Sequence, residues 1–128
     1  MRLKMPRQIN HGEVWLADLS PTIGTEPGKT RPVLIFQNQA LLDALHPSTV
    51  IIPLTTNLID DAEPLRIRIK AQDKLERDSD LLIDQIRAID NRRLTQGPLC
   101  QMEKRFMGLV YEAVSETLGI SPAVKQRT

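Results

Sequence analysis

Gly24-Thr25-Glu26-Pro27-Gly28-Lys29-Thr30-Arg31-Pro32 runs directly into Val33-Leu34-Ile35-Phe36. The first part is a polar loop with two glycines and two prolines. The second is an apolar run that reads as a buried strand or a very short buried helix. Its β-branched and aromatic content, with Pro32 before it, favours the strand. Arg31 then stands where a loop enters a rigid element. A forked cation at such a junction is a common way to build an anion site.

Upstream, Glu13-Val14-Trp15-Leu16-Ala17-Asp18-Leu19 reads as the first strand. Val14, Leu16 and Asp18 share one face, and Trp15, Ala17 and Leu19 the other. Pro21 ends it. The connection 20–30 is long for a hairpin, a length that often goes with function. Downstream, Arg31 to Gln37 is the second strand and Gln39 to Leu45 a short helix closed by His46-Pro47-Ser48. Thr49 to Thr56 is a third strand, too apolar for an exposed edge, with Pro53 marking a bulge or an edge.

After the acidic loop Leu58–Pro64, Leu65-Arg66-Ile67-Arg68-Ile69-Lys70 alternates strictly. Ile67 and Ile69 face inward. Arg66, Arg68 and Lys70 form a basic row, either a solvated face or a holder for a nucleic-acid backbone or an acidic partner tail. Ala71–Asp80 reads as a charged connection and Leu81–Ile89 as one last long strand. Asp84 interrupts that strand, turned out to solvent or kept for chemistry. Asp90–Leu94 reads as a helical turn and Gln96-Gly97-Pro98 as a turn. Met102–Leu118 is the one long helix, with Met102, Phe106, Leu109, Val110, Ala113, Val114 and Thr117 on its apolar side and Gly119 as C-cap. Residues 1–11, with Arg2, Lys4 and Arg7, and the tail Ser121–Thr128 read as frayed. Strands joined mostly by loops predict a mainly β, α+β domain: an antiparallel sheet curled into a small barrel with a C-terminal helix packed on it.

The 128 residues are of single-domain size, 1–128, with the core over about 11–119. A net charge of +1 provides no global basic footprint, so any nucleic-acid contact must come from a local patch. Cys100 is the only cysteine, which excludes an internal disulfide and a cysteine-based zinc site and fits a reducing, cytoplasmic setting. No apolar run is long enough for a membrane span. His11 and His46 lack ligand spacing, so neither a metal nor a cofactor is expected. A nucleophile elbow and a P-loop are both absent. At 3% aromatic content, a stacking platform for RNA is not expected either.

Glu26, Arg31, Thr55, Thr56, Asp84 and Gln85 remain, all at expected strand ends. A guanidinium, hydroxyls and carboxylates suit phosphoryl transfer without metal. In RNA the substrate's own 2′-hydroxyl can attack, while the protein holds the phosphate in line and neutralises its oxygens. Each residue also has a plain structural use: Arg31 paired with Glu26, Thr55 capping a turn, Asp84 paired with Arg87.

Four segments in order carry a resemblance. Gly12-Glu13-Val14-Trp15-Leu16-Ala17-Asp18-Leu19-Ser20-Pro21-Thr22 with Gly24-Thr25-Glu26 and Arg31-Pro32-Val33-Leu34-Ile35 comes first. Ile52-Pro53-Leu54-Thr55-Thr56-Asn57, Leu75-Glu76-Arg77-Asp78-Ser79 and Asp84-Gln85-Ile86-Arg87-Ala88-Ile89-Asp90 follow. Over about residues 11–119 the chain resembles the MazF/PemK family of toxin–antitoxin toxins. The resemblance implies an SH3-like barrel of the PemK/CcdB kind, acting as a homodimer. It implies a metal-independent endoribonuclease that cuts single-stranded mRNA at short sequences, leaving a 2′,3′-cyclic phosphate and a 5′-hydroxyl, and so inhibits growth. It also implies a cognate antitoxin with an acidic tail. The family's catalytic arginine falls on Arg31 and its catalytic threonine on Thr55. Glu26, Asp84 and Gln85 fall on supporting positions, and Thr25, Lys29, Thr56, Asn57 and Arg87 are expected to touch RNA. Leu82 stands where the PemK/Kid branch has an arginine, and Thr25 where it has a histidine, so the general base stays unassigned. The alternatives are a non-nuclease gyrase poison of the CcdB kind and a catalytically dead binding relative.

Overall fold

The computed structural model describes residues 7–21, 23–26 and 29–120. Expectations for residues 1–6 and 121–128, and for Thr22, Pro27 and Gly28, lie outside the described residues. Seven strands and two helices follow in order: β1 (Glu13–Asp18), β2 (Thr30–Ile35), α1 (Gln39–Asp43), β3 (Ser48–Thr55), β4 (Arg66–Ile69), β5 (Ser79–Leu82), β6 (Arg87–Asp90), β7 (Leu94–Gln101) and α2 (Lys104–Leu118). Every strand pairing is antiparallel, in the order β4-β5-β3-β2-β1-β7, with β6 also beside β3. The expected barrel is not closed, because β4 and β7 end the order without pairing to each other. Helix α2 packs on one face of the sheet, where Met107, Val110, Ala113 and Val114 share one buried core with Ile69, Leu75, Leu81, Val14, Leu99 and Cys100. No helix among the described residues is long and apolar enough to cross a membrane.

The sheet is apolar on both faces, and each face has its own core. Val14, Leu34, Ile52 and Leu54 pack under α2. Trp15, Ala17, Val33, Ile35 and Ile51 pack on the opposite face with Leu42 of α1, Ile89 of β6 and Ile9. The alternation expected for β1 is therefore observed on both sides. Residues 7–10, expected to fray, are tied down instead. Ile9 is buried, and Arg7 donates to the carbonyls of Asn91 and Leu94 with its guanidinium 5.4 Å above the Trp15 ring.

Four expectations need correction. The run Leu81–Ile89 is two strands, β5 and β6, divided by a single 3₁₀ turn at Ile83–Gln85. The reason is β3, whose first half, Ser48–Ile51, pairs with β6 while Leu54 and Thr55 pair with β5, so the chain must turn a corner between them. Pro53, expected at a bulge or an edge, is buried mid-strand opposite Val33 of β2. On its other side it falls in the gap between the β6 and β5 pairings, where its missing N–H breaks no ladder. Gln96-Gly97-Pro98 is not a turn but part of β7, which sits at the end of the sheet order and is out of register with β1 around Leu16. In α2, Met107 rather than Leu109 faces the core. Gly119 does cap the helix, at φ 73°, with its N–H on Glu116 O.

Candidate active site

The loop between β1 and β2 has a closed neck. Leu19 N–H donates to Lys29 O at 3.0 Å and Lys29 N–H to Ser20 Oγ at 3.0 Å. Arg93 Nη1 clamps the incoming chain, reaching Asp18 O at 3.0 Å and Ser20 O at 2.5 Å. Lys29 turns the chain back at φ 62°, in the left-handed region. Farther out, the Glu26 carboxylate accepts from Ile23 N–H at 3.0 Å while Glu26 N–H donates to Ile23 O. Glu26 therefore closes the loop's own turn.

Arg31 is the second residue of β2, opposite Ala17 of β1. On the other side of β2 the register runs Ile35↔Ile51, Leu34↔Ile52 and Val33↔Pro53. Carried two residues further, it sets Arg31 across from Thr55, the last residue of β3. Arg31 and Thr55 share the face of Val33 and Ile35, away from α2. The Arg31 guanidinium is half-buried, and its Nη1 donates to Leu54 O at 3.1 Å. Burial lowers its pKa from the ordinary value, since taking a cation out of water disfavours the charge. Thr55 Oγ1 accepts from Asn57 N–H at 3.2 Å, so the hydroxyl proton is left to donate elsewhere.

A cleft of about 320 Å³ is lined by Thr25, Leu82, Asp84 and Gln85 together with Ile59, Leu65 and Arg66. The 3₁₀ corner between β5 and β6 explains why Asp84 and Gln85 are there: Ile83 is fully buried, which turns Asp84 out. Asp84 is exposed, and no ion pair to Arg87 forms among the described residues.

The structure thus brings Arg31 to Thr55, and Thr25 to Asp84 and Gln85. Thr56 is elsewhere. It projects to the other face of the sheet, into a groove of about 580 Å³ with Leu16, Pro32, Lys74, Arg77 and Gln96. Lys29 is exposed at the loop neck, and Asn57 is exposed with its carbonyl held by Arg66. Arg87 is no simple surface contact. Its Nη1 is buried without a hydrogen-bond partner, an arrangement with a desolvation cost of about 1–3 kcal/mol until an acceptor arrives.

The expected basic row is largely neutralised. Asp80 of β5, across from Thr55, has its side chain 1% exposed and binds both arginines of β4. Arg68 Nε lies 2.6 Å from Asp80 Oδ1 and Arg66 Nη1 lies 3.2 Å from Oδ2, which also accepts from Ile59 N–H at 2.9 Å. Burial pushes the Asp80 carboxyl up, but the hydrogen bonds from Arg68, Ile59 and Arg66 outweigh it and hold the pKa below the usual range. Sequence reasoning missed Asp80. The signal available was a lone Asp between Ser79 and Leu81, within reach of an Arg-x-Arg strand.

An open antiparallel sheet backed by one helix, with a cation and a hydroxyl at a shared strand end, defines a small β protein whose strand end offers donors suited to an anion. Residues 10–118 match the PemK-like, MazF-like toxins of type II toxin–antitoxin systems, and the chain belongs to that family. It is 34% identical over 113 residues to endoribonuclease EndoA of Bacillus subtilis, covering 88% of this chain and 96% of the relative. To endoribonuclease MazF of Staphylococcus saprophyticus it is 38% identical over 114 residues, covering 88% and 92%. Its fold matches that of MazF from Deinococcus radiodurans with a TM-score of 0.75 at 19% identity, over 90% of this chain and 100% of that one. The MazE–MazF complex from the same organism matches at 0.71 and 19%, over 90% and 100%.

Proposed function

We propose that this chain is the endoribonuclease toxin of a type II toxin–antitoxin pair, cutting single-stranded mRNA at short sequences in the cytoplasm and so inhibiting translation and growth. One observation carries the reading: the Arg31 guanidinium reaches the Leu54 carbonyl at 3.1 Å, beside the hydroxyl of Thr55. A phosphate at that strand end meets a fixed cation and a hydroxyl donor together.

The reaction needs no metal. The 2′-oxygen attacks phosphorus, the P–O2′ bond forms and the P–O5′ bond breaks, leaving a cyclic phosphate and a 5′-hydroxyl. Arg31 neutralises charge building on the equatorial oxygens, and Thr55 donates a hydrogen bond to one of them. The Arg31 guanidinium is also the donor proposed to pass a proton to the leaving 5′-oxygen. Asp84 lines a cleft with Gln85 and Thr25 that includes neither Arg31 nor Thr55, so the group that accepts the 2′-hydroxyl proton stays unassigned.

Two partners complete the proposal. The first is a second copy of the chain, as the resemblance to the MazF/PemK family implies, so the active form is proposed as a homodimer. The family's description as toxins of toxin–antitoxin systems supports a cognate antitoxin, whose acidic tail would compete with RNA for the same cations. The test is cleavage of a long single-stranded RNA in excess chelator by wild type and by Arg31→Ala. Full activity in the variant would remove the proposal.

A further inference from the structure

The buried Asp80 cluster has a job beyond packing. It ties down the segment that follows Thr55. Asp80 Oδ2 takes the Ile59 N–H, Arg66 Nη1 holds Asn57 O at 2.8 Å, and Arg68 Nη2 holds Asp60 Oδ1 at 2.8 Å. Asp80 in turn anchors both arginines, through Arg68 Nε at 2.6 Å and Arg66 Nη1 at 3.2 Å. Three successive points of a surface loop, at 57, 59 and 60, are therefore fixed through one carboxylate. Such a loop has no regular secondary structure to hold it, and its tip Asp61 is in the left-handed region at φ 55°. The charges balance, two arginines against Asp80 and Asp60, so the cluster adds rigidity without making the rim more basic.

That loop lines the cleft. Ile59 and Ala62, with Leu65 and Arg66 after them, share its lining with Thr25, Asp84 and Gln85. We infer that Asp80 is a positioning residue for substrate selection: through Arg66 and Arg68 it fixes the 57–60 segment, so that the cleft admits some RNA bases beside the scissile phosphate and rejects others. The inference rests on the RNA-cleaving reading and deepens it. Asp80 is buried and does not touch RNA, so it acts on which sequence is bound, not on the chemical step at Arg31 and Thr55.

The experiment compares wild type, Asp80→Asn and Arg68→Gln on one long single-stranded RNA with mapped fragment ends. KM and kcat are then measured on a short RNA carrying the preferred site, and amide exchange at Ile59 is followed in the same samples. Arg68 is partly exposed, so its variant keeps the fold even if Asp80→Asn weakens it. In Asp80→Asn, preference for the favoured site over others falls about tenfold and KM rises about tenfold, while kcat stays within about threefold of wild type. Ile59 exchange accelerates, and Arg68→Gln shows the same pattern at smaller size. Two outcomes would overturn the inference: unchanged site preference with accelerated exchange, or activity lost only in proportion to unfolded protein with preference intact. A wild type that cuts no RNA fails differently, because it removes the nuclease reading itself, and Ile59 exchange would still report whether the latch exists.

Discussion

Arg31 and Leu54 meet through a 3.1 Å hydrogen bond from a side chain on one strand to the backbone of the next. The contact holds the guanidinium beside Thr55 before any substrate arrives. Catalysis by charge stabilisation depends on such preorganisation, because a donor already aimed need not reorganise in the transition state. Thr55 is the companion group. Thr55→Val removes its hydroxyl at nearly constant shape, and the expected result is a kcat about tenfold to a hundredfold lower with the fold unchanged. Steady-state cleavage of a short RNA, checked against circular dichroism, measures it. A kcat equal to wild type would take Thr55 out of the site.

Gly97 lies directly against Trp15. A Cβ at position 97 would fall 2.4 Å from the Trp15 ring. The ring cannot easily retreat, because Trp15 Nε1 donates to Glu13 Oε1 at 2.9 Å and Arg7 covers its face. Gly97→Ala should therefore cost about 1–3 kcal/mol, a drop in melting temperature of several degrees. Thermal melts of the two proteins decide it, and an unchanged Tm would mean the β7 backbone moves away freely.

The pH dependence of stability should carry the mark of Asp80. Its folded pKa lies below the ordinary 3.8. The stabilisation is complete above the unfolded value and is lost as pH falls through the lower folded value. Denaturant melts of wild type and Asp80→Asn from about pH 6 to about pH 2 should show their gap in stability widest near neutrality and narrowing below about pH 4. A gap that does not change with pH would contradict the ion-pair account.

Cys100 should be inert in the folded protein. It is 5% exposed, and burial, with a smaller contribution from Asp73, pushes its thiol up to about 11. The nucleophilic thiolate is therefore scarce near neutral pH. An alkylating reagent at about pH 8 should label Cys100 only in denaturant. Rapid labelling of the native chain would show that the face under α2 opens.

The alternation Val14-Trp15-Leu16-Ala17 and the runs Val33–Phe36 and Val50–Leu54 were enough to read β1, β2 and β3, because apolar side chains on both faces mark central strands. The split of Leu81–Ile89 was not legible. Nothing in Leu81-Leu82-Ile83 encodes a corner that β3 imposes by pairing with β5 and β6 in turn. Gly97-Pro98 looked like a turn because its strand role depends on Trp15, over eighty residues away. Arg31 and Thr55 could be picked by residue type and family resemblance, yet their adjacency follows from a strand register. Asp80 stayed hidden for the same reason: its partners come from β4, and a charged residue beside a charged connection looks solvated until the strands pair.

The central claim is tested most directly by mapping RNA ends. Purified protein freed of any antitoxin is mixed with long single-stranded RNA in excess chelator, beside Arg31→Ala and beside DNA of the same sequence. The account predicts cuts at one short motif, with cyclic phosphate on one side and 5′-hydroxyl on the other. In the Arg31→Ala lane cleavage should fall at least about a hundredfold, and the DNA should stay intact. RNA left whole across many sequences, or cut equally well by Arg31→Ala, would contradict it.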